Sequence, residues 1–517
     1  MEPMTGVRSP GGPKHRSSDL VNLAKGGGFM VGGGLVEFVF RLGIAWILAR
    51  ALGADGYGLY TLVVSVAALT VGLGGLGLDD AMVRYLAIQT RRGDMAGMRG
   101  TMQVGIVVSL GVGVLAGIGL YAFASWLAVG VFDEPALLPL IRIVSGVVPF
   151  LLLSNVLLGV TRGFNRMDLA TFAENVVRSG VRFSLLAVLW FLELDVVAAV
   201  IAFGVADVSA TVVFIFFVRR LVRAAGPPVA PRHEYAEIFG FALPLWLSGL
   251  LNRFRRNLET FVLGVLSIAA DVGVFTVAAR VNFISHTVYR AVIVAVKPIL
   301  AQAFADGDRA TLARTYSSTT RWTFTMNLPF LLVTVLYAED ILGVFGPEFV
   351  DGASAFVVLA FSELFIAFTG TCGSMIDMAG HTRVKLVNSV LWVASALGLS
   401  ILLIPPYGVI GAAVASMASV TLVNLVRTLE VWILDRLQPW RRDFWKPAAA
   451  AIAAGAWGYS LRLVFEGRSI WWVVLQGIAV VLAYVGVLAM LGFHDDDRVI
   501  LGRIRDKLTR RARGRVS

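Results

Sequence analysis

Cysteine is nearly absent: Cys372 is the only one in 517 residues, which excludes a disulfide framework and a zinc site built on thiolates. Charge is scarce as well. Asp, Glu, Lys and Arg make up 15% of the chain against 57% hydrophobic residues, too little polar surface to cover a water-soluble molecule of this size. No Gly-x-x-x-x-Gly-Lys-Ser/Thr loop is present, so a nucleotide-driven motor within the chain is excluded. The five histidines are scattered, and His233-Glu234 lacks the second histidine of a metalloprotease helix; neither a metal centre nor another cofactor is expected. The strict polar–apolar alternation of a membrane barrel strand is missing too.

What the chain has is long apolar runs. Met102 to Ser125, Val196 to Val218, Leu386 to Ile404 and Ile470 to Leu491 each carry one charge or none, over the ~20 residues that a helix needs to cross a bilayer. Fourteen such windows are expected, near 26–49, 59–78, 102–125, 138–160, 170–192, 196–218, 238–266, 272–300, 322–345, 353–378, 386–404, 410–433, 448–464 and 470–491. Residues 1–25 are polar and rich in Gly, Pro and Ser, without the short apolar core of a cleavable signal, and read as a disordered cytoplasmic tail.

The net charge of +11 is explained by topology. With the N-terminus inside, thirty-one of the 45 Lys and Arg fall on inward segments and only Arg50 and Arg468 on outward ones. Basic residues near span ends stay on the cytoplasmic side, so a multi-pass protein of the cytoplasmic (inner) membrane with both termini inside is expected. No nucleic-acid partner is needed to account for the charge. The basic tail 492–517 serves as a topology anchor near anionic lipid heads.

The sequence also repeats itself. Gly58-Leu59-Tyr60-Thr61-Leu62 opens the second window and Gly273-Val274-Phe275-Thr276-Val277 the eighth; Gly93-Asp94 with Arg99 follows the first, and Gly307-Asp308 with Arg314 the second, at nearly the same spacing. The expected fold is an all-α polytopic protein: a six-helix bundle over 26–218, a cytoplasmic linker over 219–237, a parallel six-helix repeat over 238–433, and two appended helices within 434–491. Repeats of this kind place a substrate site between them.

Charges inside the windows are costly, roughly 2.5 to 3.5 kcal/mol each, and mark function or pairing. Glu37 and Arg41 are four residues apart, Glu174, Arg178 and Arg182 form one helical stripe, Arg253, Arg255, Arg256 and Glu259 cluster deep in the seventh window, and Arg280 lies in the eighth. The basic residues of windows 1 and 7, equivalent in the repeat, are expected to face a common cavity. Glu37–Arg41 and Glu174–Arg178 also read as plain packing ion pairs, yet seven arginines against three glutamates leave four positive charges over. A surplus of buried guanidinium groups suits an anionic ligand, phosphate above all. Arg142, Arg290, Lys297 and Arg427 read as snorkelling or locally paired. Asp207 and Glu363, single acids in apolar surroundings, are expected sites for a coupling proton or cation.

Three stretches resemble a known family. Arg50-Ala51-Leu52-Gly53-Ala54-Asp55-Gly56-Tyr57-Gly58, Gly77-Leu78-Asp79-Asp80-Ala81-Met82-Val83-Arg84-Tyr85 and Pro405-Pro406-Tyr407-Gly408-Val409-Ile410-Gly411-Ala412-Ala413 are similar to segments of the multidrug/oligosaccharidyl-lipid/polysaccharide (MOP) exporter superfamily, and within it of the Wzx-type polysaccharide-biosynthesis flippases. The resemblance implies a non-enzymatic transporter. By alternating access it would carry a polyprenyl-diphosphate-linked oligosaccharide from the cytoplasmic to the outer leaflet for surface polysaccharide or glycan assembly, with the arginines and Glu37 and Glu259 lining the site. Expected partners are that lipid-linked oligosaccharide diphosphate, membrane lipids, and a glycan polymerase or glycosyltransferases using the same carrier; the chain itself is expected to be a monomer. Two alternatives stay open: a multidrug or cation antiporter of the same superfamily, which needs a net acidic cavity, and a membrane glycosyltransferase or polymerase, which needs larger loops than the ten or so outward residues found here.

Overall fold

Peptide groups in lipid have no water to bond, so a spanning segment closes its hydrogen bonds within itself as a helix. The computed structural model describes the backbone of residues 13–227, 229–464 and 470–492, and the side chains of residues 39–492 other than 228, 248, 251–256, 284, 288, 291, 382, 442 and 465–470. Among the described residues no strand occurs. Seven helices there are long and apolar enough to cross a membrane, nine if each of two bent pairs is one span. Two of the seven take in two sequence windows apiece. Val39–Gly74 is broken at Gly53 (φ 67, ψ −175), and Arg383–Asp435 at Gly408 (φ 51, ψ −127). The chain is an all-α, multi-pass membrane protein.

Two compact units divide it, residues 1–52 with 63–254 and residues 53–62 with 255–517. The first unit takes in most of α1 (Pro13–Gly74), then α2 (Leu78–Arg92), α3 (Met95–Ala122), α4 (Leu137–Ser145), α5 (Val148–Gly163), α6 (Met167–Thr171), α7 (Ser179–Trp190), α8 (Val196–Ala225) and the start of α9 (Tyr235–Leu266). Met82, Leu86, Met102, Leu157, Phe214 and Ala242 belong to one buried cluster in it. Burying each of these side chains contributes about 1 to 3 kcal/mol where a soluble reference applies; between helices in lipid, close packing carries the association. Helix α1 meets α7 through Phe40 on Phe183 (ring centroids 5.5 Å apart) and Trp46 stacked on Trp190 (5.4 Å).

Residues 229–234 lie on this unit. The Arg232 amide donates to Ala96 O at 2.9 Å. Its guanidinium pairs with Asp94 at 2.6 Å and Glu234 at 2.8 Å, and Gly100 lies directly against the Arg232 carbonyl. Asp94 also caps α3 by accepting from the Gly97 amide at 2.9 Å. That amide and then the Arg232 guanidinium hold the Asp94 carboxyl below the usual carboxylate range.

The second unit contains α10 (Ala269–Asp306), α11 (Arg309–Gly343), α12 (Ala353–Thr369), α13 (Cys372–Met378), α14 (Thr382–Asp435), α15 (Trp445–Val464) and α16 (Ile470–Met490). Helix α11 carries a buried polar stripe, Ser317 to Thr320 and then Thr323 and Asn327. Its purpose is visible in α12, which breaks at Gly370 within the window 353–378. Thr323 donates to Ala367 O (3.0 Å), Tyr316 to Thr369 O (3.4 Å) and Tyr289 to Gly370 O (3.0 Å), so the carbonyls freed at the break are satisfied by side chains. Gly370 has φ 63, and a Cβ there would meet Thr320 Oγ1 at 1.9 Å, which only glycine avoids. Helices α15 and α16 pack on the outer part of α11; Tyr484 donates to Thr325 O at 3.0 Å.

The sequence repeats take matching conformations. Gly93 and Gly307 both end a helix at φ 68, and Asp94 and Asp308 both cap the next helix through the amide three residues on. Gly58 and Gly273 lie together in the second unit. A Cβ on Gly58 would meet Ala269 O at 1.7 Å, and one on Gly273 would meet Ala54 O at 2.1 Å. Each glycine thus rests on the carbonyl four residues before the other, a local two-fold crossing that needs the missing side chains.

Candidate functional site

The charges of the first unit converge on Arg178. Residues 172–178 form a π-helical turn between α6 and α7; such turns re-aim side chains and recur at functional sites. This one places Glu174 and Arg178 on the same side, 3.8 Å apart. Arg178 Nε lies 2.9 Å from Oδ1 of Asp207 on α8, and its Nη2 donates to the hydroxyl of Ser154 on α5 at 2.8 Å. Asp207 and Ser154 are buried, at 2% and 0% exposure, while the Arg178 side chain keeps 24%. The guanidinium is therefore fixed from behind and open at its front. Arg162 joins from the end of α5, 3.6 Å from Glu174, and the Arg182 guanidinium lies 4.9 Å over the Phe203 ring. Among the described residues the cluster thus gathers the guanidinium groups of Arg162, Arg178 and Arg182 with the carboxylates of Glu174 and Asp207. At the adjoining turn Arg166 pairs with Asp168 at 2.7 Å and holds that carboxyl below its ordinary range.

The other expected site residues are placed separately. Arg41 is exposed on α1, next to Phe40, which packs on Phe183 beside Arg182. In the second unit the Arg280 guanidinium lies 5.5 Å over the buried Tyr57 ring, and Glu259 accepts from the Ser416 hydroxyl at 3.1 Å. Glu363 is 3.2 Å from Nδ1 of His286. The side chains of Glu37, Arg253, Arg255 and Arg256 lie outside the described residues. Asp207, an expected ion site, is thus the anchor of Arg178, and the pairing shortens the surplus that the sequence suggests.

Sequence reasoning missed Arg162, Ser154 and His286. Arg162 sits at an inward end, where a topology anchor is the default reading, and Ser154 in an apolar run carries no pattern. His286 is separated by 77 residues from the acid it faces. No group of three or more His, Cys, Asp or Glu that could hold a metal occurs among the described residues.

With this geometry in view, comparison with known proteins is informative. The model of the family described as polysaccharide biosynthesis protein matches residues 23–304, more than half of the chain, and that of MatE matches residues 244–405. The probable flippase AglR of Haloferax volcanii is 25% identical over 205 residues, 38% of this chain; the chain spans 42% of the length of that relative. Stage V sporulation protein B of Bacillus subtilis is 23% identical over 438 residues, 79% of this chain and 83% of its own. Among solved structures, the lipid II flippase MurJ in an inward closed conformation superposes with a TM-score of 0.68 at 13% identity, covering 89% of this chain and 98% of that one, which speaks for a shared fold. The chain belongs to the polysaccharide biosynthesis protein family, and it shares its fold with the lipid II flippase MurJ.

Proposed function

We propose that the protein is a flippase that moves a polyprenyl-diphosphate-linked oligosaccharide from the cytoplasmic to the outer leaflet by alternating access, without catalysing a covalent change. The observation that carries this reading is Arg178, buttressed by Asp207 and Ser154 while its front stays open, with Arg162 and Arg182 beside it. A guanidinium held this way, with part of its side chain still exposed, can meet a phosphate without first having to be ordered. Its neighbours Arg162 and Arg166 stand at the end of α5 that the charge distribution puts on the cytoplasmic side, where a lipid-linked precursor first meets the protein. The diphosphate lies against these arginines, the sugars in the aqueous cavity and the prenyl chain in lipid. The membrane is the cytoplasmic one with both termini inside, and the protein works as a monomer, receiving its cargo from the glycosyltransferases that build it. Six helices, six helices and two describe its organisation, with 219–237 as the linker.

The names of two relatives support the reading, since both AglR and MurJ are called flippases. An exporter of organic cations is the reading that the MatE match would favour, and the guanidinium groups gathered around Arg178 oppose it. Reconstitution into proteoliposomes with a fluorescent polyprenyl-diphosphate oligosaccharide tests the proposal. Transfer between leaflets should depend on the protein, and Arg178→Ala should lower its rate roughly tenfold or more at equal folded protein. Equal rates with and without protein would overturn it.

A further inference from the structure

We infer that His286 and Glu363 form a proton-binding site in the second unit and that the coupling ion is therefore a proton; this rests on reading the chain as a transporter. His286 lies near the middle of the 38-residue α10, and Glu363 lies within the span Pro347–Thr369. The imidazole Nδ1 is 3.2 Å from the carboxylate Oε2, with side-chain exposures of 32% and 15%. An ionisable pair within a span marks function or pairing, and proton relays of acid and histidine are one such use. Imidazole is also the side chain that ordinarily exchanges a proton in the physiological range.

The surroundings favour a proton over a metal cation. A hard cation such as sodium needs a cage of oxygens, and imidazole nitrogen is a poor member of one. The neighbouring polar groups are engaged in bonds of their own. The Asn282 amide donates to Leu359 O at 3.0 Å, Ser285 bonds Asn327, and Tyr289 donates to Gly370 O. Other charged or titratable groups on α10 and on the elements packed against it also have other engagements: Arg280 over Tyr57, Tyr316 on Thr369 O, Asp377 with Lys385 at 2.9 Å, Glu430 with Asn388 at 2.6 Å, and Glu348 against Gly53. Arg290, one turn beyond His286, is exposed, Arg321 is buried on α11, and Arg427 reaches toward Gly373.

Uptake adds one proton to the imidazole nitrogen or the carboxylate oxygen, and release returns it; no other bond changes. Empty, the pair carries one negative charge; loaded, it is neutral overall, the form that costs less in a low-dielectric interior. The loaded and empty forms differ in charge beside a bend of the helix. Helix α10 bends by 46° between its segments Ala269–Thr287 and Val292–Asp306, directly beside His286, and Thr287 Oγ1 bonds the carbonyl four residues back at 3.0 Å, a local bond that bends helices.

Two measurements decide it. In nanodiscs, infrared difference spectra should show a protonated-carboxyl band that grows as pH falls and disappears in Glu363→Gln, and ¹⁵N-histidine spectra should show one signal, absent in His286→Gln, that titrates in step with it. In proteoliposomes with the fluorescent lipid-linked probe, a pH gradient should change wild-type flipping severalfold and a sodium gradient should not; Glu363→Gln should lose the response and Glu363→Asp retain part of it. Absence of the titrating band and signal, or a response to sodium alone, would overturn the proton site. Titration without any flipping would uphold the site and sink the flippase reading instead.

Discussion

Asp207 and Arg178 are worth more together than apart. Removing the buried carboxylate takes away the closest anion to the Arg178 guanidinium, so Asp207→Ala is expected to destabilise the protein by up to about 3 kcal/mol. Part of that loss should be recovered in Asp207→Ala with Arg178→Ala, because no unpaired charge then remains. Thermal unfolding in detergent, followed by tryptophan fluorescence, measures both; strict additivity would refute the pairing. Asp94 offers a test outside the membrane. Its carboxyl is held below the ordinary value by the Gly97 amide and by Arg232, so it stabilises the docked segment 229–234 above pH ~4 and that stabilisation fades as pH falls through the lowered value. Hydrogen exchange of residues 229–234 should accelerate in that acidic range, and Asp94→Asn should show the faster exchange already at neutral pH. Some of this was legible from residues alone: Glu174 and Arg178 are one turn apart, and the helix stripe announces them. Asp207 is 29 positions from Arg178 on a different helix, and no local pattern joins them.

Helices differed from the apolar windows where the backbone departs from regular α geometry. Apolar length shows where lipid is crossed, because transfer free energy depends on composition. It says nothing about the π-turn at 172–178, or about the break at Gly370, whose freed carbonyls are met by side chains of α10 and α11. The stripe Ser317 to Thr320 with Thr323 was the visible trace of the break, hydroxyls facing the interior around the single charge of Arg321, and its meaning depends on Ala367 and Thr371 meeting it in space. Gly370→Ala should therefore be severe: left-handed backbone alone costs an L-residue about 1 to 2 kcal/mol, and the contact with Thr320 adds to it. Folded yield in detergent should fall sharply, while Gly249→Ala, in whose case a Cβ has nothing within 4 Å, should have no comparable effect.

For the whole molecule, the charge asymmetry gives a prediction that needs no substrate. Asp133, in the loop before α4, and Arg309, at the start of α11, are both exposed, the first on a segment expected outside and the second on one expected inside. An impermeant maleimide added to intact cells should label Asp133→Cys and leave Arg309→Cys unlabelled until the membrane is opened; the buried Cys372 should stay silent in both. Labelling of Arg309→Cys in intact cells would invert the topology. The crossing of Gly58 with Gly273 bears on origins. A residue that meets its own counterpart across a two-fold axis is the signature of an isologous dimer. In a half-length ancestor paired with itself, one codon would have set both sides of that contact, and any change there would have struck twice. A fusion would free the two codons to drift apart, and a side chain gained at either glycine would break the crossing.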